Sequence, residues 1–290
     1  MLSPTVAPLL TAVAVALTVT AVHRRLPPVT ATRATTIALV VVTMAAVPTL
    51  WIASLGYLAH APLLGRGLAW CIQGLGVHDR VPVAIGLPGL VLVAVGTLRA
   101  WRVVRSHRRL RLDQHGSIEV AHDDRAFAFT LPGRGGRVVW SSGLVELLDD
   151  RERSVVLAHE RAHARYRHDR YLLIAQLTSA AVPMLRPLSS RLRFSLERWA
   201  DEASADECGD RRFVAHTLGK VALYNVAPVG VLSFGGLGVS ARVAGLLAPP
   251  TQTPRASLLI ALWLAIAAVG ALAAFQIHHL ATLAAALCSG

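Results

Sequence analysis

The stretch "SVVLAHERAHARYRHDR" runs from Ser154 to Arg170 and holds H-E-x-x-H as His159, Glu160 and His163. Residues four apart on a helix share a face. On a helix, then, both imidazoles can aim at one ion while Glu160 stands beside them. That spacing suits zinc, with the carboxylate serving as general base in peptide hydrolysis. The bland alternative is a pair of histidines on a solvated face. The upstream residues favour the helix, because Asp149 followed three positions later by Glu152 is a capping-box pattern ahead of an apolar-periodic run.

A zinc site needs a third protein ligand. The metzincin continuation fails, since Tyr166 replaces its glycine and Asp169 stands where its third histidine would be. Further on, "LERWADEASADE" carries Glu197 and Asp201 at i and i+4. A glutamate from this second helix would complete a His, His, Glu set, and Asp201 could accept from the second nitrogen of a zinc-binding histidine. A solvated acidic face explains the same pair. E-x-x-A-D recurs as Glu202 and Asp206, and five residues of helix turn about 500°, which sets the second pair roughly 140° from the first. Arg198, four residues before Glu202, offers that glutamate a partner on a solvated face.

Around this core, "AFAFTLPGRGGRVVWSSG" predicts a β-hairpin across a Pro/Gly-rich turn, with Arg137 to Ser141 as second strand and an edge to which an extended substrate could add. Tyr171 to Leu185 is a short apolar run interrupted by Pro183, read as a buried or partly membrane-dipping helix. A polar helix from about Arg193 to Cys208, another from Arg211 to Asn225, and a glycine-rich linker follow.

The flanks are far more apolar. Mean hydropathy over the 290 residues is +0.51. The uncharged runs Met1 to Val22, Ala34 to Gly65, Val81 to Leu98 and Ala256 to Ile277 each hold about 18 to 25 apolar residues, enough to cross a bilayer. The expected fold is therefore an integral membrane, mainly α-helical protein with four transmembrane helices. Residues 1–98 form a three-helix membrane region, 99–255 an α+β catalytic domain, and 256–290 a fourth span with a short extracytoplasmic tail.

No basic residue precedes the first apolar run and "HRR" follows it, the order of a retained anchor. "HRRLPPVTATR" carries three arginines and "RAWRVVRSHRRLR" six, against Arg66 and Arg80 in the intervening loop. By the positive-inside rule the first and third loops and the 99–255 domain are cytosolic, and both termini extracytoplasmic. The net charge of +12 is thus expected to serve topology and the bilayer surface. No aromatic-interleaved basic patch points to nucleic acid. Cys71, Cys208 and Cys288 form no C-x-x-C pair, so neither a disulfide framework nor a zinc ribbon is expected.

H-E-x-x-H followed at this distance by E-x-x-A-D, preceded by the hairpin and "GLVELL", resembles the membrane-integrated metallopeptidases: the HtpX and CAAX prenyl protease group and the related BlaR/MecR antirepressor family. "FTLPGRGGRVVWSSGLVELLDDRERSVVLAHERAH" and "ARVAGLLAPP" are most similar to the BlaR/MecR members, over roughly Ala126 to Pro250. The resemblance implies a zinc gluzincin with His159, His163 and Glu197 as ligands, Glu160 as general base and Asp201 behind a ligand. The chain ends about a dozen residues past its last apolar run with no S-x-x-K serine there, so β-lactam sensing by acylation is not expected. An H-P-x-x-x-R type segment, which supplies an oxyanion helper in HtpX-like relatives, is missing, leaving His216 and Arg242 as candidates for that role. His168 is read as a helix-end residue or as support behind a ligand, and His278 and His279 as interfacial. The function expected is a membrane-bound zinc endopeptidase. Its partners would be the bilayer and a protein or peptide substrate, either a membrane protein or a membrane-near cytosolic regulator such as a repressor. The alternatives are a BlaR/MecR-like transducer that switches such a repressor and a pseudoprotease scaffold that does not cut.

Overall fold

A computed structural model describes residues 7–58, 82–112, 118–131, 137–224, 234–249 and 263–275, with 260 and 278 besides. The expectations for the 60–80 loop with Cys71, and for His279 and the terminal tail, lie outside the described residues.

The apolar flanks form helices α1 (Ala7–Val22), α2 (Pro28–Leu58) and α3 (Val83–Leu112), with α10 (Trp263–Phe275) near the end of the chain. Two are long and apolar enough to cross a membrane, over Pro28–Trp51 and Val83–Arg109; α10 is shorter, and α1 has 16 residues. Ile85, Val91 and Leu98 stand exposed on α3. A contiguous apolar surface of that kind marks contact with lipid or protein.

Between α3 and α10 lie strands β1 (Ile118–Ala121), β2 (Ala128–Leu131) and β3 (Arg137–Ser141), then helices α4 (Ser142–Leu147), α5 (Asp150–Arg165), α6 (His168–Ala181), α7 (Arg186–Cys208), α8 (Arg211–Tyr224) and α9 (Phe234–Leu247). The hairpin forms as β2 antiparallel to β3, but β1 pairs parallel with the other side of β3. The sheet order is β1-β3-β2. Arg137 to Ser141 is therefore the central strand, and the hairpin's edge is β2. The parallel pairing of β1 uses both sides of β3, which sequence alternation within the hairpin does not reveal.

The helix starts follow local chemistry. Asp149 Oδ1 accepts from the Glu152 backbone N–H at 2.8 Å, and Glu152 Oε2 accepts from that of Asp149 at 3.0 Å, closing the capping box of α5. Lys220 Nζ donates to the same Glu152 oxygen at 2.6 Å, tying α8 to this helix start. Ser141 caps α4 through its side chain. Arg167, at φ 54°, turns the chain sharply between α5 and α6. The segment expected to be a glycine-rich linker instead contains α9. Leu246 packs with Val155, Val214 and Ala215, and Arg211 donates to the carbonyls of Gly245 and Leu246. Tertiary contacts of this kind override the poor helix propensity of glycine.

Helix α7 joins the two halves. Leu188, Leu192 and Leu196 are buried in one cluster with Ala34, Ala38 and Leu39 of α2 and Ile266 and Val269 of α10. At 3.6 residues per turn, Glu197 and Asp201 rotate away from that apolar stripe toward α5.

Two glycines give opposite expectations. A Cβ on Gly143 would stand 2.1 Å from the carbonyl oxygen of Asp124, whereas one on Gly219, inside α8, would meet nothing within 4 Å. Gly143→Ala should cost about 1–3 kcal/mol through overpacking against rigid backbone. Gly219→Ala should gain about 0.5–1 kcal/mol in helix stability. Thermal unfolding in detergent checks both signs.

Candidate metal centre

The capping box fixes where α5 begins, and nine to thirteen residues along it His159 and His163 emerge on one face. Their Nε2 atoms are 3.1 Å apart. Glu197 reaches across from α7, with Oε2 3.5 Å from His159 Nε2 and Oε1 3.6 Å from His163 Nε2. All three donors lie within 4.8 Å of one another. Three ligands about 2.0–2.2 Å from a tetrahedral zinc are about 3.3–3.6 Å apart; both imidazole–carboxylate separations fall in that range, and the imidazole pair at 3.1 Å is slightly closer. The donor chemistry, two imidazoles and one carboxylate, fits as well.

Each imidazole is held from behind. His159 Nδ1 donates to Asp201 Oδ1 at 3.1 Å, and His163 Nδ1 lies 2.8 Å from His168 Nδ1. With His163 as donor in that pair, its Nε2 presents a lone pair, and His159 does the same once its Nε2 proton is lost. The left-handed turn at Arg167 brings the His168 ring back to His163. His168 is 1 % exposed and packs against Trp199, with ring centroids 4.9 Å apart.

Arg242, from α9, forks onto Asp201 with Nε to Oδ2 at 2.8 Å and Nη2 to Oδ1 at 2.7 Å. Its Nη1 reaches Glu197 Oε2 at 3.0 Å. The guanidinium is thus committed to the two carboxylates. His216 lies apart from the cluster, 70 % exposed and 4.0 Å from Glu152. Of the two residues considered for oxyanion help, only Arg242 is brought to the site. Glu202 forms its close ion pair with Arg211, while Arg198, the partner its spacing implied, attracts it from farther away. Arg211 also holds the end of α9, so this pair anchors the helix that delivers Arg242.

Glu160 is buried beside the cluster. Its Oε2 accepts from the Thr130 hydroxyl at 2.7 Å, and Thr130 also lies 2.9 Å from the Glu160 carbonyl oxygen. Thr130 on β2 is a contact that sequence reasoning missed, because nothing in a short strand signals a partner thirty residues away.

Electrostatics follow the geometry. Burial disfavours charge on His159, yet its hydrogen bonds to Asp201 and Glu197 outweigh this and raise its pKa to about 10. Burial first, then neighbouring His159, lowers that of His163. Burial, reinforced by His163, brings His168 down to about 3, so it stays neutral. Burial works against ionisation of Glu197 and Asp201, but His159 beside Glu197 and Arg242 beside Asp201 hold both below the usual carboxylate range.

Comparison with known proteins bears on this arrangement. Residues 108–225 match the family model described as Peptidase family M48, less than half of the chain. M48 peptidases are typically zinc-dependent, and the matched segment spans His159, Glu160, His163, Glu197 and Asp201 but ends before Arg242. The match supports a metallopeptidase of this type without separating BlaR/MecR from HtpX relatives. No curated protein and no solved structure matches the chain.

Zinc content across variants tests the cluster. Glu197→Ala should lose the metal, Asp201→Ala and His168→Ala should weaken affinity by roughly 10 to 100-fold through lost support of a ligand ring, and Glu202→Ala should retain it. Because a raised His159 pKa keeps that ring protonated below about pH 10, zinc must displace a proton. Calorimetry at neutral pH in buffers of different ionisation enthalpy should register release of about one proton, with affinity falling as pH falls.

Proposed function

We propose that the chain is a membrane-bound zinc endopeptidase acting on membrane proteins or on a membrane-near cytosolic regulator such as a transcriptional repressor. The observation that carries the reading is the Glu160 carboxylate, buried and fixed by Thr130 beside three convergent donors. A pseudoprotease scaffold has no use for a carboxylate so held.

His159, His163 and Glu197 would hold the ion, which supplies Lewis-acid polarisation of a scissile carbonyl and acidifies water. Glu160 takes the proton from the attacking water and returns it to the leaving amine. Asp201 stabilises His159 as a ligand, while His168 orients His163. Arg242 compensates the charge of buried Asp201 and of the half-buried Glu197 beside it. An extended substrate adds to the edge of β2, next to Glu160, by backbone hydrogen bonds.

Glu160→Gln keeps the side chain's shape and removes the base, so it should retain zinc while losing about 10² to 10⁴-fold in kcat. Assays on detergent-solubilised protein with quantified zinc decide this, and wild-type turnover in Glu160→Gln would overturn the mechanism. Many turnovers per zinc would mark a general protease, and a single cut per stimulus a transducer.

The orientation proposed from the arginine distribution has the 99–255 domain in the cytosol and both termini outside. An impermeant thiol reagent on intact cells should modify Cys71 and spare Cys208 until lysis. The reverse pattern inverts the topology.

A further inference from the structure

A cavity of about 1320 Å³ opens among α3, α6, α7 and α9, beyond the roughly 300–1,000 Å³ that suits a drug-sized molecule. Seven arginines line it against one carboxylate, Glu197. Among the described residues, Arg99, Arg102, Arg186 and Arg193 have no carboxylate partner. Unpaired positive charge concentrated in a concave wall raises the local concentration of anions.

The arginines on α7 are ordered. Arg186, Ser190, Arg193 and Glu197 all line the cavity at i, i+4, i+7 and i+11, a single stripe on the face opposite Leu188, Leu192 and Leu196. The stripe therefore leads directly to a donor of the metal cluster. The same cavity shares Val103, Gln176 and Glu197 with a second one of about 440 Å³, whose walls include β2, His159, Glu160 and His163. Together they form a trench with the cluster between a strand edge and an arginine-lined wall.

We propose that this trench selects peptides carrying acidic side chains on one side of the scissile bond, an inference that rests on the peptidase reading for the position of that bond. One part of the substrate extends along β2, and its acidic flank seats on Arg193 and Arg186 of α7 and on Arg99 and Arg102 of α3. At 1.5 Å rise per residue, Arg193 lies about 6 Å and Arg186 about 16 Å along the helix from Glu197. An extended chain advances about 3.3 Å per residue. The acids recognised therefore fall about two and about five positions from the scissile bond. Arginines at the end of an apolar helix also meet phospholipid phosphates. The peptide is favoured because the stripe sits on the helix that bears Glu197 and is continuous with the cluster, neither of which a head group requires.

The test uses the full chain, zinc-loaded, as Glu160→Gln in uncharged detergent, with two fluorescent twelve-residue peptides that carry four Glu or four Gln on one side of a central Phe-Leu pair. Each composition is made with the block on either side of the pair. Anisotropy should show one Glu peptide binding about tenfold tighter than its Gln counterpart, the equivalent of a few solvent-screened ion pairs. That advantage should vanish in about 0.5 M salt and in Arg186→Glu/Arg193→Glu, whose zinc content and melting temperature stay unchanged because both side chains are exposed. Equal affinity for Glu and Gln peptides, or an advantage that survives the charge reversal, overturns the proposal. So does binding of phosphatidylglycerol vesicles lost in the double variant without any peptide discrimination, which would assign the wall to lipid. Charge-selective binding in a protein whose wild type cleaves no peptide would leave the arginine-lined trench standing and sink the peptidase reading instead.

Discussion

The site depends on the two faces of α7. On one, Leu188, Leu192 and Leu196 are almost fully buried against α2 and α10. On the other, Glu197 and Asp201 meet the imidazoles of α5. Metal coordination tolerates only tenths of an ångström in donor position, and a long helix anchored on one side alone would not hold that tolerance. The apolar clamp is what makes the carboxylate face rigid. A cavity in the leucine stripe would therefore be felt at Glu197 as displacement, in addition to the stability it costs.

Rigidity brings a second demand, because Asp201 is 3 % exposed and a buried carboxylate is expensive unless fully bonded. Arg242 and His159 supply its partners, and the fork from Arg242 uses both carboxylate oxygens. The two imidazoles of the candidate site are consequently supported unequally. His159 leans on an anion, which raises the basicity of its metal-facing nitrogen, whereas His163 leans on a neutral histidine in an aromatic pocket of Tyr166 and Trp199. His159 is thus held by charge, and His163 more by position.

Whatever is encoded locally was legible in the sequence. The capping box, the four-residue histidine spacing and the E-x-x-A-D face all act within one or two helical turns, and each appears where its pattern points. The hairpin was legible, but its free edge was not, since that depends on β1 joining β3 from outside the hairpin. Arg242 reaches Asp201 across 41 residues and Thr130 reaches Glu160 across 30. The helix that carries Arg242 reads as a linker because its glycines are overruled by packing and by Arg211. His168 needed the left-handed turn at Arg167, which no residue type there announces. The second partner of Glu202 has the same origin: helical spacing offers Arg198, while the tertiary fold adds Arg211 at closer range.

Helix α3 connects the apolar part of the molecule to its chemistry. Its early turns present Ile85, Val91 and Leu98 outward, while Arg99, Arg102 and Val103, just past the apolar run, form part of the arginine-lined wall. One continuous helix thus changes from an exposed apolar surface to one that attracts anions within a single turn. A segment emerging from an apolar environment alongside α3 would meet those arginines first and the cluster next, with β2 beyond. The apolar stretch of α3, the arginine-lined wall and the cluster thus follow one another in space, so that under the proposed peptidase reading the same helix would border the path of an extended chain to the candidate site.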